Sequence, residues 1–137
     1  MKDAVAKALD ELRAGAPGTG VRSQPDADGG AYVIVDGIEI GAFDPERSWI
    51  GFHLVWSYPD ADVYPHFIDA PVRYTGDGPA PNDHPDGALP TSITRGATMP
   101  GFEIPALQVS RRSPRWNSET DTALCKLLRV IEFLRSR

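Results

Sequence analysis

Cysteine and long apolar runs are both scarce in this chain of 137 residues. Its single thiol, Cys125, excludes an internal disulfide and a zinc site built on several cysteines. Because no apolar run could span a bilayer, the sequence excludes a transmembrane helix, and the charged opening Met1-Lys2-Asp3 argues against a secretory signal. We therefore expect a cytoplasmic protein with no membrane partner. The length predicts one domain over 1–137, since domains commonly hold roughly 100–150 residues.

Lysine is also scarce, and the charge of the chain is uneven. The net charge is −5, with eleven arginines against three lysines. Residues 111–137 carry seven basic and three acidic side chains, a local charge of +4, which leaves −9 for the rest. An acidic body repels phosphate, so we expect no nucleic-acid partner. Arginine favours bidentate contacts with carboxylates, so the basic end suits an acidic protein partner.

Two segments have the periodicity of amphipathic helices. The first covers 2–14, and its apolar residues at helical spacing are Val5, Ala8, Leu9 and Leu12. The second covers 119–135, and Ser118 is its predicted cap. Its predicted buried face consists of Ala123, Leu124, Leu127, Leu128, Ile131 and Leu134. The same helical phase predicts that Arg129 and Glu132 are exposed.

Between the two helices the pattern predicts short strands. Residues 31–40 indicate two short strands joined by a turn at Asp36-Gly37, and residues 48–56 alternate as a third strand. Residues 63–74 predict an edge strand or an irregular one, because two prolines interrupt this segment.

Glycine and proline are dense in two further segments, 16–30 and 75–100, and both are predicted loops. The order of elements is therefore helix, about four strands, long loop and helix. Strands grouped between terminal helices indicate an α+β fold with an antiparallel meander sheet of about four strands.

Three motifs along the chain carry a resemblance to a known family. A strand runs into Tyr58-Pro59, Pro65 follows, and Trp116 stands just before the second helix. This order resembles the ubiquitin-conjugating (UBC) superfamily, in which the third strand ends in Tyr-Pro with further prolines and a Trp precedes the helix after the active-site stretch. The segment 108–122, Gln-Val-Ser-Arg-Arg-Ser-Pro-Arg-Trp-Asn-Ser-Glu-Thr-Asp-Thr, is most similar to a divergent bacterial branch. The resemblance runs over most of the chain and implies a UBC-like fold.

The catalytic cysteine of the conjugating enzymes has no counterpart in this sequence. Counting back from Trp116, the position that the family gives to this cysteine is Gln108, and no residue from Met99 to Trp116 is a cysteine. The His-Pro-Asn of the eukaryotic enzymes is also missing, and Arg112 stands where the bacterial branch has a histidine. A thioester carrier needs a thiolate, which an amide cannot replace.

The resemblance therefore implies a non-catalytic member of a bacterial ubiquitin-like modification system. Such a protein would bind the ubiquitin-like modifier, an activating-enzyme-like protein or a partner subunit without a covalent step. The binding residues that we predict are Arg111, Arg112, Arg115 and Trp116, because arginine beside an aromatic residue is typical of protein interfaces. A solvated arginine loop over a packed tryptophan is the alternative interpretation of the same residues.

Cys125 is the fallback nucleophile. Inside the predicted helix, next to Leu124 and Leu128, a free cysteine is expected to be a small buried side chain far from the helix N-terminus. Two other functions stay open: an atypical conjugating enzyme that uses Cys125, and a small α+β binding or immunity-type module unrelated to ubiquitin.

No metal or cofactor is predicted. His53, His66 and His84 lack the spacing of metal ligands, and they are the only histidines. The aspartates around Asp62 lack the glycine and the distal glutamate of a calcium loop.

Overall fold

The protein has an α+β architecture, in which an antiparallel sheet packs against one helix from each end of the chain. A computed structural model describes residues 1–76 and 87–137. The helices are α1 (Asp3–Gly15) and α2 (Ala123–Arg135). The strands are β1 (Gly20–Pro25), β2 (Ala31–Glu39), β3 (Phe43–Asp44), β4 (Arg47–Leu54), β5 (His66–Asp69), β6 (Arg73–Tyr74), β7 (Ile93–Met99) and β8 (Ile104–Val109). The predicted α+β class and both predicted helices are confirmed.

The main sheet has six strands, in the order β1-β2-β4-β5-β8-β7, with every pair antiparallel. The prediction of about four strands in a meander is therefore wrong. The chain passes from β5 to the edge as β7 and returns as β8 against β5. Both edge strands come from predicted loops, since β1 lies within 16–30 and β7 lies within 75–100. Residues 77–86 of the second predicted loop lie outside the described residues.

Strand β2 is continuous, which corrects the predicted turn at Asp36-Gly37. Its register with β4 shifts between Val35 and Ile38, so Asp36 and Gly37 form a bulge inside one strand. Gly37 has φ 71°, a backbone conformation that glycine adopts without steric cost. Arg22 of β1 holds Asp36 with two hydrogen bonds of 2.8 and 2.9 Å.

Strand β5 lies in the interior of the sheet, between β4 and β8, so the edge position, one of the two alternatives predicted for 63–74, is wrong. The two prolines explain the error. Pro65 comes directly before the strand and Pro71 comes after it, so neither removes a donor from the hydrogen-bond ladder.

Apolar side chains fill both faces of the sheet. The larger cluster includes the buried faces of the two helices, among them the predicted Val5, Ala8, Leu9 and Leu12. The smaller cluster consists of Ile34, Phe67, Met99 and Ala106. Met99 packs over Gly51, where a Cβ atom would lie only 2.5 Å from the methionine sulfur. The end of β7 thus covers the sheet face opposite the helices.

The two edges of the sheet are irregular. Strand β7 shifts its register against β8 between Thr94 and Ala97, and Gly96 in between has φ 86°. Strand β1, at the other edge, is mostly exposed and ends in Pro25. In the described part of the chain, neither helix is long and apolar enough to cross a membrane.

Helix α2 confirms four of its six predicted core residues and corrects the other two. The buried residues are Ala123, Leu127, Ile131 and Leu134, whereas Leu124 is half-buried and Leu128 is 45 % exposed. The buried face is rotated toward Lys126, Val130 and Phe133, which the apolar pattern left out. The rotation is possible because the buried Lys126 finds a carboxylate partner inside the protein.

We predict a large difference in stability between two leucine variants of α2. Leu127→Ala is expected to lower the free energy of unfolding by roughly 2–5 kcal/mol, because the side chain is fully buried. The matched Leu128→Ala is expected to cost less than about 1 kcal/mol, as is usual for exposed sites. Urea denaturation of both variants measures the difference, and equal losses would show that the helical phase is wrong.

Candidate functional site

Gln108 lies inside the sheet. It is paired with Phe67 of β5 and with Thr94 of β7. Its side-chain amide donates a hydrogen bond of 3.2 Å to Ser110 Oγ. The position that the resemblance assigns to a nucleophile is therefore a half-buried amide within a strand, and an amide has no nucleophilic chemistry to offer here.

Cys125 is exposed, so the expectation of a buried thiol is wrong. The reason is the start of α2. Thr122, and not the predicted Ser118, is the cap, and its Oγ1 accepts the backbone N–H of Cys125 at 3.1 Å. The cysteine consequently lies in the first turn of the helix and on its solvent side, next to the exposed Leu128.

The three predicted binding arginines are exposed on residues 110–117, which we name the arginine loop. The guanidinium of Arg111 lies 4.4 Å from the ring centre of Phe133, and that of Arg112 lies 4.4 Å from the ring centre of Tyr64. Arg137 also contacts the Phe133 ring, at 4.6 Å. Stacking on a ring holds a guanidinium in place through its flat face and leaves its N–H edge able to bind a carboxylate.

Trp116 is half-buried and anchors the arginine loop to the body of the protein. Its indole N–H donates to the carbonyl oxygen of Pro59 at 2.7 Å. The neighbouring Tyr58 hydroxyl accepts the backbone N–H of Ala123, the first residue of α2, at 3.0 Å. The structure therefore brings together the Tyr-Pro and the Trp on which the resemblance depends.

Lys126 is only 2 % exposed, and it binds the arginine loop from the interior of the protein. Its ammonium group donates to both carboxylate oxygens of Asp62, at 2.9 and 3.1 Å, and to Ser113 Oγ. Asp62 also accepts the backbone N–H of Ser113 at 2.7 Å. Burial lowers the pKa of Lys126, and the contact with Asp62 opposes this effect. All three ammonium protons have acceptors, so Lys126 is a structural cation here and not a base that could activate Ser113.

His66 is completely buried, and neither of its ring nitrogens has a hydrogen-bond partner among the residues that the structure describes. The ring lies 5.1 Å from that of Phe52. Burial lowers the pKa of His66 to about 3, and the positive charge of Lys126 adds to the effect. The imidazole is therefore neutral at physiological pH.

A cavity of about 560 Å³ lies between the arginine loop and α2. Its lining consists of Ser113, Pro114, Arg115, Asn117, Thr120, Asp121 and Arg129. Asp121 binds Arg129 at 2.7 Å and accepts the backbone N–H of Asn117 at 2.8 Å. The Asn117 hydrogen bond and Arg129 lower the pKa of Asp121, so this carboxyl group is ionised. Sequence reasoning missed the cavity, because it depends on where α2 begins.

Elsewhere, His53 Nε2 lies 2.6 Å from Asp26 Oδ2, and its ring stacks on Tyr32. Burial raises the pKa of Asp26, but hydrogen bonds from His53 and from two backbone N–H groups outweigh it and lower the pKa overall. Across 1–76 and 87–137, no three His, Cys, Asp or Glu side chains lie close enough together to hold a metal ion. His84 lies outside the described residues.

We predict that Asp62→Asn lowers the free energy of unfolding by about 2–4 kcal/mol, because it leaves a buried ammonium group without its counter-charge. The matched variant Lys126→Met is expected to cost less, since an apolar side chain of similar length fills the same space and Asp62 retains some contact with water. Urea denaturation measures both. A larger loss in Lys126→Met would contradict the role given to the ion pair.

We predict a loss of stability below pH 6.5 that depends on His66. The folded pKa lies below the ordinary value of 6.5, so the unfolded chain takes up the proton first, and the contribution of His66 is full above pH 6.5 and is lost as the pH falls toward 3. The expected loss is about 2 kcal/mol between pH 7.5 and pH 5. His66→Leu is expected to flatten this dependence in urea denaturation at both pH values, while the control His53→Gln keeps it. A slope unchanged in His66→Leu would contradict the assignment.

Comparison of the chain with protein-family models, with curated protein sequences and with solved structures gives no significant match. The function is therefore inferred from the geometry of the arginine loop and its surroundings.

Proposed function

We propose that this chain is a ubiquitin-conjugating-like protein without a catalytic nucleophile, which binds a protein of a bacterial ubiquitin-like modification system non-covalently through its arginine loop. The ligand is the ubiquitin-like modifier or an activating-enzyme-like protein. One observation carries the proposal: three exposed guanidinium groups lie on a loop that is fixed by Trp116 and Ser113.

The fixed loop favours binding, because a partner does not have to order it. Arg111 and Arg112 already lie over aromatic rings in the folded protein. Their side chains therefore lose less conformational entropy on binding than flexible arginines would lose. Their charge lies in the one basic part of an acidic chain. An acidic surface of a partner would be attracted to this face and repelled by the rest of the molecule.

The resemblance to the UBC superfamily supports the choice of partner. The hydrogen bond between Trp116 and Pro59 joins two motifs that lie far apart in the sequence. The six-stranded sheet is larger than the resemblance implies, and Gln108 and Arg112 differ from the family pattern. Because Gln108 stands at the position of the family's nucleophile, that departure favours a binding role over acyl transfer.

We predict that the genome encoding this chain also encodes a ubiquitin-like protein and an activating-enzyme-like protein, and that at least one of them binds it. Arg112→Glu combined with Arg115→Glu is expected to weaken this binding about tenfold or more, because like charges then face each other. Calorimetric titration at two salt concentrations measures the affinity of each variant for the partner. The wild-type affinity is expected to fall as the salt concentration rises.

A double variant with the same change of charge serves as the control. Arg13 lies in the last turn of α1 and Arg47 at the start of β4, and both are exposed. Arg13→Glu with Arg47→Glu is expected to leave the affinity within about threefold of wild type, because salt screens the interaction between these distant charges and the partner. Equal weakening by both double variants, or no binding by either candidate partner, would contradict the proposal.

An atypical conjugating enzyme that uses Cys125 is the second candidate function, favoured by the exposure of this thiol. Its test is a charging reaction with the activating-enzyme-like protein, the modifier and ATP, resolved on a non-reducing gel. The non-catalytic proposal requires that no reductant-sensitive adduct forms. An adduct that disappears in Cys125→Ser would replace it with the enzymatic function.

A further inference from the structure

We propose that the cavity beside the arginine loop binds a single carboxylate group of a peptide, and that Arg115 is the residue that recognises it. This inference rests on the proposed function, because it names the chemical group that the binding face receives. It concerns a separate feature, however, since Arg111 and Arg112 do not line the cavity.

The charge of the cavity favours a monoanion. Of its two guanidinium groups, that of Arg129 is paired with Asp121 at 2.7 Å. Within residues 1–76 and 87–137, Arg115 has no hydrogen-bond or ion-pair partner, so this part of the chain supplies no counter-charge to its guanidinium group. A carboxylate neutralises this charge. A phosphate dianion would leave an excess negative charge close to Asp121.

The polar groups of the lining have donors left for a ligand. Ser113 Oγ accepts a proton from Lys126, so its own hydroxyl hydrogen is left to donate. Asn117 Oδ1 accepts the backbone N–H of Glu119 at 2.9 Å. The side-chain NH₂ group of Asn117 is therefore the part of its amide that can donate to a ligand. Together with the guanidinium of Arg115 they form a set of donors, and an ionised carboxylate is a group that only accepts.

The cavity is also held in shape before a ligand arrives. Ser113 is fixed by Lys126 and by Asp62, and Asn117 is fixed through its backbone N–H on Asp121. A site whose donors are already positioned loses little entropy when a small group binds.

Two pairs of short peptides test the inference by NMR titration of the isotope-labelled chain. N-acetyl-trialanine with a free C-terminal carboxylate is compared with its C-terminal amide. N-acetyl-Ala-Glu-Ala amide is compared with the same peptide containing glutamine. At least one acid is expected to give saturable shifts of the Asn117 and Thr120 amide signals, and its neutral counterpart none. The arm that responds identifies the source as a chain end or a side chain. The inference would be overturned if neither acidic peptide shifted these signals, or if inorganic phosphate bound more tightly than the acidic peptides.

Three variants identify the residues involved. Arg115→Gln is expected to weaken peptide binding about tenfold, the usual effect of losing a charged hydrogen-bond partner. Arg13→Gln makes the same charge change in the last turn of α1, outside the cavity and the arginine loop, and less than a twofold change is expected. Asp121→Asn is expected to tighten binding severalfold, because it removes the competing carboxylate and keeps an oxygen for the Asn117 N–H. Weaker binding to Asp121→Asn, with the fold intact by circular dichroism, would contradict the inference.

The two proposals can fail separately. If the partner protein binds through Arg112 and Arg115 but no small carboxylate enters the cavity, the cavity inference is wrong and the proposed function stands. If the peptides bind but neither candidate partner does, the cavity is a carboxylate site and the proposed function is wrong.

Discussion

The ion pair between Lys126 and Asp62 joins three parts of the molecule beneath the arginine loop. Asp62 lies in the connection between β4 and β5, Lys126 lies in the first turns of α2, and Ser113 lies in the arginine loop. A charge placed inside a protein is costly unless it is fully paired, so these three segments can adopt only arrangements that satisfy it. The position of the arginines on the surface thus depends on a cation that the surface does not expose.

Sequence periodicity predicted the elements whose pattern is local. Both helices and the inner face of α1 follow from apolar residues one turn apart, whereas the inner face of α2 follows only in part. The edge strands β1 and β7 were missed, because their side chains are largely exposed and pairing with a neighbour is what makes them strands. The burial of Lys126 was missed for a similar reason, since its partner Asp62 is 64 positions away in the sequence.

The candidate site was predictable in composition but not in shape. The arginines and Trp116 were identified from their clustering, and they lie on one loop. The cavity beside them exists because α2 begins at Ala123, four residues later than the periodicity indicated. The residues before Ala123 therefore form the wall of a cavity instead of a helical turn. Helix ends depend on capping by single polar side chains, here Thr122, which apolar patterns do not report.

The irregular edges of the sheet bear on how the protein behaves at high concentration. A flat outer strand offers a continuous row of backbone N–H and C=O groups to another copy of the chain, and fibrils grow by such pairing. Here the row along β7 is interrupted at Gly96, and the row along β1 stops at Pro25, which has no N–H to give. A second copy could pair with either edge only over a few residues, so these irregularities oppose edge-to-edge growth of the six-stranded sheet.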